Sequence, residues 1–141
     1  MDIAFISCVK EKRIGKYKAK DLYTSDFFRK SFGYCSSKYD KVFILSAKYG
    51  LLELEEEIEN YEMTLNDFSK IKKVEWSVMV YDQLEEKIDD SDDLYFYVGN
   101  NYREHLLPLL SNNCFVPLEG KGIGEQLQYF KNNMETKHDF F

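Results

Sequence analysis

Short hydrophobic runs recur along the chain and predict buried β-strands, because a strand covered on both faces is apolar throughout. The four runs are Ile3–Ser7, Val42–Leu45, Leu94–Val98 and Cys114–Pro117. Between them, apolar residues recur near helical spacing and predict helices. These helices cover residues 25–37, 70–88, 102–110 and 125–132. The alternation predicts an α/β fold with three layers, α/β/α, around a small four-stranded, mostly parallel sheet. We expect the strand order 2-1-3-4, which places a switch point between the first and third strands.

The length of the chain suits one domain. Its 141 residues, of which 44% are hydrophobic and 16% aromatic, supply a packed core and argue against disorder. We place a single α/β domain at residues 1–132 and a polar C-terminal tail at residues 133–141, where fraying is expected.

Charge is unevenly distributed along the chain. The net charge of −6 comes mainly from two acidic stretches, 53–62 and 85–93, which we interpret as solvated faces. Such a surface argues against attraction of the whole protein to nucleic acid. The segment 10–20 is basic instead, and it is either a basic surface loop or a local anion site.

The sequence contains few of the residues that several functional classes require. Three cysteines without a CxxC pair, and an N-terminus unlike a secretory signal, favour a reducing cytoplasm. No apolar run approaches the roughly 20 residues that span a bilayer. Two histidines give little material for a zinc site or a Ser-His-Asp triad. We therefore expect a cytoplasmic protein without membrane association, metal or cofactor, and the oligomeric state stays open.

Polar or glycine residues follow every predicted strand. Because the carboxyl ends of parallel strands meet at one edge of a sheet, we expect these residues to line one crevice, where open α/β folds bind ligands. They are, in chain order, Ser7, Cys8, Lys10, Ser46, Lys48, Tyr49, Gly50, Asn100, Glu119, Gly120, Gly122, Gly124 and Glu125. Three residues outside the strand ends, Tyr23, Ser25 and Tyr61, supply further ligand-binding hydroxyls.

Catalytic roles are assigned to four of these residues, Ser46, Lys48, Glu119 and Glu125, and ligand contacts to the others. The tyrosines offer rings that stack on a base, the asparagine amide reads a base edge, and the glycine turn 120–124 offers backbone N–H groups to an anion.

Simpler interpretations stand beside most of these assignments. Lys48 is also consistent with a surface lysine, Tyr49 and Tyr61 with the rim of the core, and the turn 120–124 with a plain tight turn. Cys8 is also consistent with a buried, inert thiol, and Ser25 with a helix cap. Glu125 falls in the first turn of a predicted helix, where a carboxylate stabilises the helix dipole.

The motifs resemble those of the bacterial peroxide-stress YaaA family. The block 44–65, ILSAKYGLLELEEEIENYEMTL, is similar to a Ser-x-x-Tyr-Gly-Leu-Leu signature followed by an acidic stretch and a Pro-Tyr step, for which this chain has Asn60-Tyr61. Short YaaA-like proteins of bacteria and phages share motifs found here at residues 22–25, 45–52 and 117–126. The resemblance implies a role in stress or defence. It does not extend to DNA binding, because this chain lacks the helix-hairpin-helix-like region implied for that role.

Three functions stay open. The first is the binding or processing of a nucleotide, nucleoside or nucleobase in the crevice, with cleavage or exchange at an N-glycosidic bond by an N-glycosidase-like hydrolase. It rests on a fold-level analogy, because the parallel sheet with its polar edge resembles the uracil-DNA-glycosylase architecture. The second is a non-catalytic stress or defence protein that binds nucleic acid or a nucleotide. The third is a redox role for Cys8.

Overall fold

The computed structural model describes residues 1–7 and 12–138, with side chains described as far as residue 133. The strands in this part are β1 (Asp2–Ser7), β2 (Lys16–Lys18), β3 (Lys41–Ser46), β4 (Gly50–Glu53), β5 (Glu57–Glu59), β6 (Asp93–Tyr97) and β7 (Cys114–Phe115). The α-helices are α1 (Ala19–Leu22), α2 (Asp26–Lys38), α3 (Lys70–Glu85), α4 (Asn100–Arg103) and α5 (Ile123–His138). Short 3-10 helices cover Leu65–Asp67 and Leu107–Leu109.

The main sheet has five strands in the order β4-β3-β1-β6-β7. Strand β1 pairs in parallel with β3 and β6, β6 pairs in parallel with β7, and β4 runs antiparallel to β3. The four parallel strands are the predicted ones, and their order confirms the predicted 2-1-3-4. The prediction of four strands is wrong by one, because Leu51 and Leu52 form too short an apolar run after the polar turn to predict β4.

A tight hairpin joins β3 to β4. Ser46 pairs with Gly50, so three residues form the loop, and Gly50 has a φ of 75°. A three-residue loop followed by a left-handed residue is a common hairpin geometry, and glycine adopts that conformation without steric cost. Leu51 and Leu52 then continue β4 with buried side chains.

Strands β2 and β5 form a separate two-stranded antiparallel sheet, with Tyr17 opposite Ile58. Both segments are predicted from the sequence as irregular, because charged residues dominate them. Only Ile58 is buried in this sheet, so its apolar signal is too short to indicate a strand.

Side-chain caps fix where two helices begin. The Ser25 hydroxyl accepts a hydrogen bond from the Phe28 N–H at 3.1 Å at the start of α2. A serine cap also begins α3, which runs unbroken to Glu85, and α5 continues to His138, beyond the predicted end at residue 132. The single helix predicted at 102–110 is instead α4 followed by a 3-10 turn, because Pro108 has no N–H to continue an α-helix.

Both faces of the main sheet are buried. On one face, the Phe5 ring stacks between the rings of Phe43 and Phe96, at centroid distances of 5.7 and 4.6 Å. On the other face, α2 and α5 bring Tyr34 and Phe130 against Tyr97, each at 6.0 Å. The helices therefore cover the faces and leave the carboxyl ends of the parallel strands at one edge. Within the described residues, none of the helices has both the length and the apolar character to cross a membrane.

Candidate functional site

The carboxyl ends of three parallel strands are almost level. Ser7 ends β1 and pairs with Leu45 of β3, and Ile6 pairs with Tyr97 of β6. Neighbouring strands lie about 4.8 Å apart, so the ends of β3 and β6 are about 10 Å from each other across β1. The predicted contacts Cys8 and Lys10 lie outside the described residues.

Ser46 is the centre of a buried hydrogen-bond network at the end of β3. Its side chain is fully buried, and its hydroxyl donates to the Tyr61 oxygen at 2.9 Å and accepts from the Tyr49 N–H at 3.1 Å. The hydroxyls of Tyr61 and Tyr23 are 2.7 Å apart, and the Trp76 indole N–H donates to the Ser46 carbonyl at 3.0 Å. A buried hydroxyl with both hydrogen-bonding functions in use favours a structural role. A catalytic role for Ser46 stays a prediction.

A lysine that was not singled out from the sequence covers this network. Lys12 Nζ lies 4.4 Å from the centroid of the Tyr61 ring and 6.0 Å from that of Tyr23, within the range of a cation–π interaction. Lys12 is one of several lysines in the segment 10–20, and the sequence does not show which of them returns to the sheet edge. The structure thus brings three of the candidate site residues, Ser46, Tyr23 and Tyr61, together and places Lys12 beside them.

Lys48 and Tyr49 lie in the β3–β4 loop. Lys48 is exposed, and its Nζ is 5.3 Å from the centroid of the Tyr49 ring. The Tyr49 hydroxyl donates to the Glu59 carbonyl at 3.2 Å, and its ring meets Tyr61 edge-on. These contacts attach the loop to β5 and place the Lys48 ammonium in solvent.

Gly50 faces α3 and not the crevice. A Cβ at this position would lie 2.7 Å from Met79 Cε and closer still to Gln83 Oε1. The helix therefore fills the space beside the Gly50 α-carbon, and a ligand contact at Gly50 stays a prediction.

A cavity of about 220 Å³ opens between the ends of β6 and β7. Its wall includes the backbone after β6, the turn after β7, Arg103 of α4 and Gln126 of α5. Three predicted site residues, Asn100, Glu119 and Gly120, line it. The polar strand ends thus form two groups, one around Ser46 and one around this cavity.

Arg103 is the less exposed of the two cations that line the cavity. Its side chain is 14% exposed, and Nη1 lies 3.9 Å from Oε2 of Glu119, which is itself 72% exposed. The Nε atom is buried and has no hydrogen-bond partner among the described residues. A guanidinium stays protonated, and a buried donor without a partner costs free energy. The only sequence signal for Arg103 was its position one helical turn after Asn100.

Only part of the glycine turn after β7 lines the cavity. Gly120, with a φ of 83°, borders the cavity. Gly122, Gly124 and Glu125 are exposed and do not line it, and Glu125 Oε1 lies 3.5 Å from the Gly122 N–H at the start of α5. For Glu125 this geometry supports the simpler interpretation, a carboxylate that stabilises a helix N-terminus. Ser25 is likewise a helix cap.

The described part of the basic segment pairs with the first acidic stretch. Glu55 lies 2.8 Å from Lys18 Nζ and 2.7 Å from Lys20 Nζ, and Lys16 lies 3.9 Å from Glu57. Hydrogen bonds from the two nearer lysines lower the pKa of Glu55 to about 2. Lys16, Lys18 and Lys20 are therefore paired with carboxylates within the protein, which supports the interpretation of residues 16–20 as basic surface.

The two cysteines in the described part of the chain, Cys35 and Cys114, are free thiols. Burial raises the pKa of both, so few thiolates form near neutral pH. Neither supports redox chemistry, and the redox hypothesis for Cys8 falls on a residue outside the described part.

The fold and the polar edge of its main sheet together define the class: an α/β protein with a largely parallel sheet and a small cationic cavity at the carboxyl edge of that sheet. The chain belongs to a family of unknown function (DUF6884), whose model matches residues 3–132. It is similar to "Uncharacterized protein YfjM" of Bacillus subtilis (strain 168), with 28% identity over 152 residues and coverage of 97% of each chain. No solved structure matches the chain.

The predicted membership of the YaaA family is wrong, because the matching family is a different one and covers nearly the whole chain. The motifs behind that prediction consist of strand ends and turn residues. Such residues meet backbone requirements common to many α/β proteins, so they discriminate poorly between families. The resemblance to uracil-DNA glycosylase gains no support from solved structures.

Proposed function

We propose that the protein binds a small nucleotide-like anion at the carboxyl edge of its main sheet, with the anionic group beside Arg103. The observation that carries this proposal is the buried Arg103 Nε, which has no hydrogen-bond partner among the described residues and lines a cavity. A ligand oxygen would satisfy this donor and compensate for the burial of the cation.

The wall of the cavity suits an anion. Two of its side chains, Arg103 and Lys121, are cationic, and one, Glu119, is anionic. The planar guanidinium offers parallel N–H groups that match the oxygens of a phosphate or carboxylate. A Cβ built at Gly99 or Gly120 would meet nothing within 4 Å, so open space lies beside the backbone there, and a ligand has room to approach it.

The size and place of the cavity favour a nucleotide over a bare anion. Typical small-molecule sites measure about 300–1,000 Å³, so this smaller cavity accommodates one end of such a molecule. The rest would extend along the edge across β1, where the sheet has its switch point. At the end of β3, beyond it, the rings of Tyr23 and Tyr61 are buried, but the ring of Tyr49 is half-buried, and aromatic rings are common stacking partners of bases.

A larger depression is less suitable for an anion. It has a volume of about 540 Å³ and lies at the amino end of β3, where three glutamates, Glu53, Glu55 and Glu56, line it. Glu53 and Glu55 are already paired with lysines. This depression is therefore lined by carboxylates, and the lysines that contact them are already engaged in ion pairs.

Thermal unfolding of the full chain tests the proposal. We expect 5′-mononucleotides to raise the Tm, because a ligand at about 100 times its Kd stabilises the native state by about 2.7 kcal/mol. The uncharged nucleosides should have a much smaller effect. Arg103→Gln should abolish the shift, whereas Arg29→Gln, on the exposed surface of α2, should preserve it.

Two outcomes would contradict the proposal: equal shifts from nucleosides and nucleotides, or an undiminished shift in Arg103→Gln. Circular dichroism and the ligand-free Tm show whether each variant folds. Inorganic phosphate, run in parallel, shows how much of the shift comes from the anionic group alone.

Cleavage at an N-glycosidic bond stays a prediction. Glu119 is the one predicted catalytic residue on the cavity wall, and its exposed carboxylate lies near Arg103. The test is the release of free base from the mononucleotide that gives the largest Tm shift. Glu119→Gln should stop that release without abolishing the shift.

A further inference from the structure

We propose that α3 is the interface of a symmetric dimer, in which the α3 helices of two copies of this chain pack antiparallel to each other. The proposal concerns the outer face of the helix, none of whose residues lines the β6–β7 cavity, and it is independent of the ligand proposed above.

The outer face of α3 carries an apolar stripe. Ile71, Val74 and Val78 are spaced by three and four residues, so they lie on one side of the helix. Their side chains are 71%, 39% and 43% exposed, respectively. The inner face, with Trp76 and Leu84, is buried against the rest of the protein. The stripe is therefore additional to the face that holds the helix in the fold.

The charges of α3 oppose its own dipole. Lys70 and Lys72 lie in the first turn, whereas Asp82 and Glu85 lie at the end of the helix. The first turn has no acidic residue and the last turn has no basic one. A helix dipole favours the reverse order, with carboxylates at the N-terminus and cations at the C-terminus. A surface that breaks a local rule in this way points to a compensating interaction elsewhere.

A second copy of α3, packed antiparallel, supplies that compensation. With the twofold axis between Val74 and Val78, each Val74 meets Val78 of the second copy, and Lys70 of each helix lies near the end of the other that carries Asp82 and Glu85. Both helix dipoles then also run in opposite directions. None of Lys70, Lys72 or Asp82 has an ion-pair partner among the described residues, so these charges are available to a second copy.

The size of the contact predicts a weak dimer. An α-helix of 16 residues is about 24 Å long, and one stripe along it buries less than about 1,000 Å². Interfaces of that size are transient, and paired surface charges are screened by salt. The dimer should therefore form at high protein concentration and weaken as ionic strength rises.

Sedimentation equilibrium of the full chain, over a concentration series up to about 1 mM, measures this association. We expect a monomer–dimer equilibrium. Val78→Glu should raise the dimer dissociation constant at least about tenfold, because it buries a charge at the centre of the interface. Ile123→Glu is the matched control, since Ile123 is exposed at the start of α5, and it should leave the constant unchanged.

A charge-reversal experiment tests the antiparallel orientation. The variant Lys70→Glu with Lys72→Glu, and the variant Asp82→Lys with Glu85→Lys, should each lose dimerisation, because like charges then meet at both ends. Mixing the two variants should restore it as a heterodimer. Each reversal improves the match to the helix dipole, so neither is expected to impair folding.

Three results would overturn the proposal. They are a monomer at every concentration, a dissociation constant that Val78→Glu leaves unchanged, and a mixture of the two charge variants that stays monomeric. Lower helicity of any variant by circular dichroism would identify a folding defect, and the conservative variant Val78→Thr would then replace Val78→Glu.

Discussion

At the scale of single residues, the Ser46 side chain holds separate parts of the chain together. Its hydroxyl joins β3 to Tyr61 and to the N–H of Tyr49, and its carbonyl binds the Trp76 indole of α3. The bonds to Tyr61 and Trp76 are buried, and the bond from the Tyr49 N–H is part-buried. Loss of the hydroxyl would remove one partner from the Tyr61 hydroxyl and the side-chain acceptor of the Tyr49 N–H.

Ser46→Ala is therefore expected to lower the free energy of unfolding by about 1–3 kcal/mol, the cost of unsatisfied buried groups. Nucleotide binding at Arg103 should persist, because the serine does not line that cavity. Urea denaturation measures the first effect and the ligand-induced Tm shift the second. Ser36→Ala, at an exposed position of α2, is the control and should change stability by less than about 0.5 kcal/mol. An unchanged midpoint for Ser46→Ala would show that the network contributes nothing.

At the scale of elements, the β3–β4 hairpin is attached to α3 through one side chain. Gln83 Oε1 accepts from the Leu51 N–H at 2.8 Å, and its amide nitrogen donates to the Tyr49 carbonyl at 3.2 Å. The helix approaches so closely because Gly50 has no side chain. The same glycine also supplies the left-handed conformation that the hairpin requires.

Gly50→Ala should therefore lower the free energy of unfolding by more than about 2 kcal/mol, since it combines backbone strain with a clash against Gln83. Gly124→Ala is the matched control, because a Cβ in the first turn of α5 meets nothing within 4 Å. In an exposed helix that change should leave stability unchanged or raise it by up to about 1 kcal/mol. Chemical denaturation of both variants measures the two effects. Similar midpoints for Gly50→Ala and Gly124→Ala would exclude the close approach of α3 to Gly50.

At the scale of the whole molecule, two oppositely charged stretches of the chain meet. The basic segment supplies β2 and the start of α1, and the acidic segment supplies β5 and the loop before it. Glu55 contacts both Lys18 and Lys20, so residues far apart in the sequence are joined by one carboxylate. Part of the charge asymmetry along the chain is thus compensated within the fold.

The ion pairs of Glu55 with Lys18 and Lys20 predict that the stability of the fold depends on pH. Hydrogen bonds from Lys18 and Lys20 lower the pKa of Glu55 from 4.5 to about 2 in the folded protein. The ion pairs therefore stabilise the fold fully above pH 4.5, and the effect is lost as the pH falls from 4.5 to about 2. Because the carboxylate is exposed, the effect is small and salt reduces it.

The Tm of Glu55→Gln should therefore lie slightly below that of the wild type at neutral pH and converge with it in acid. Glu62→Gln, at an exposed position outside the small sheet, is the control and should follow the wild type throughout. A direct measurement is the NMR titration of the Glu55 carboxyl group, for which a midpoint near 4.5 would exclude the pairing.

The parallel strands and their order follow from the sequence alone. A strand buried on both faces must be apolar throughout, so each strand is visible in a short stretch of residues. Chain connectivity then limits the strand orders that helices can link. These features depend on local patterns, and the structure confirms them.

The tertiary structure alone decided what the polar residues do. It placed Ser46 in a buried network, Gly50 against a helix and Glu55 between two lysines, and it brought Arg103 to the cavity. Each of these roles depends on a partner or a wall from a distant part of the chain. The residue type limits the bonds that a side chain can make, but burial and neighbours determine which of them form, and these arise only when the chain folds.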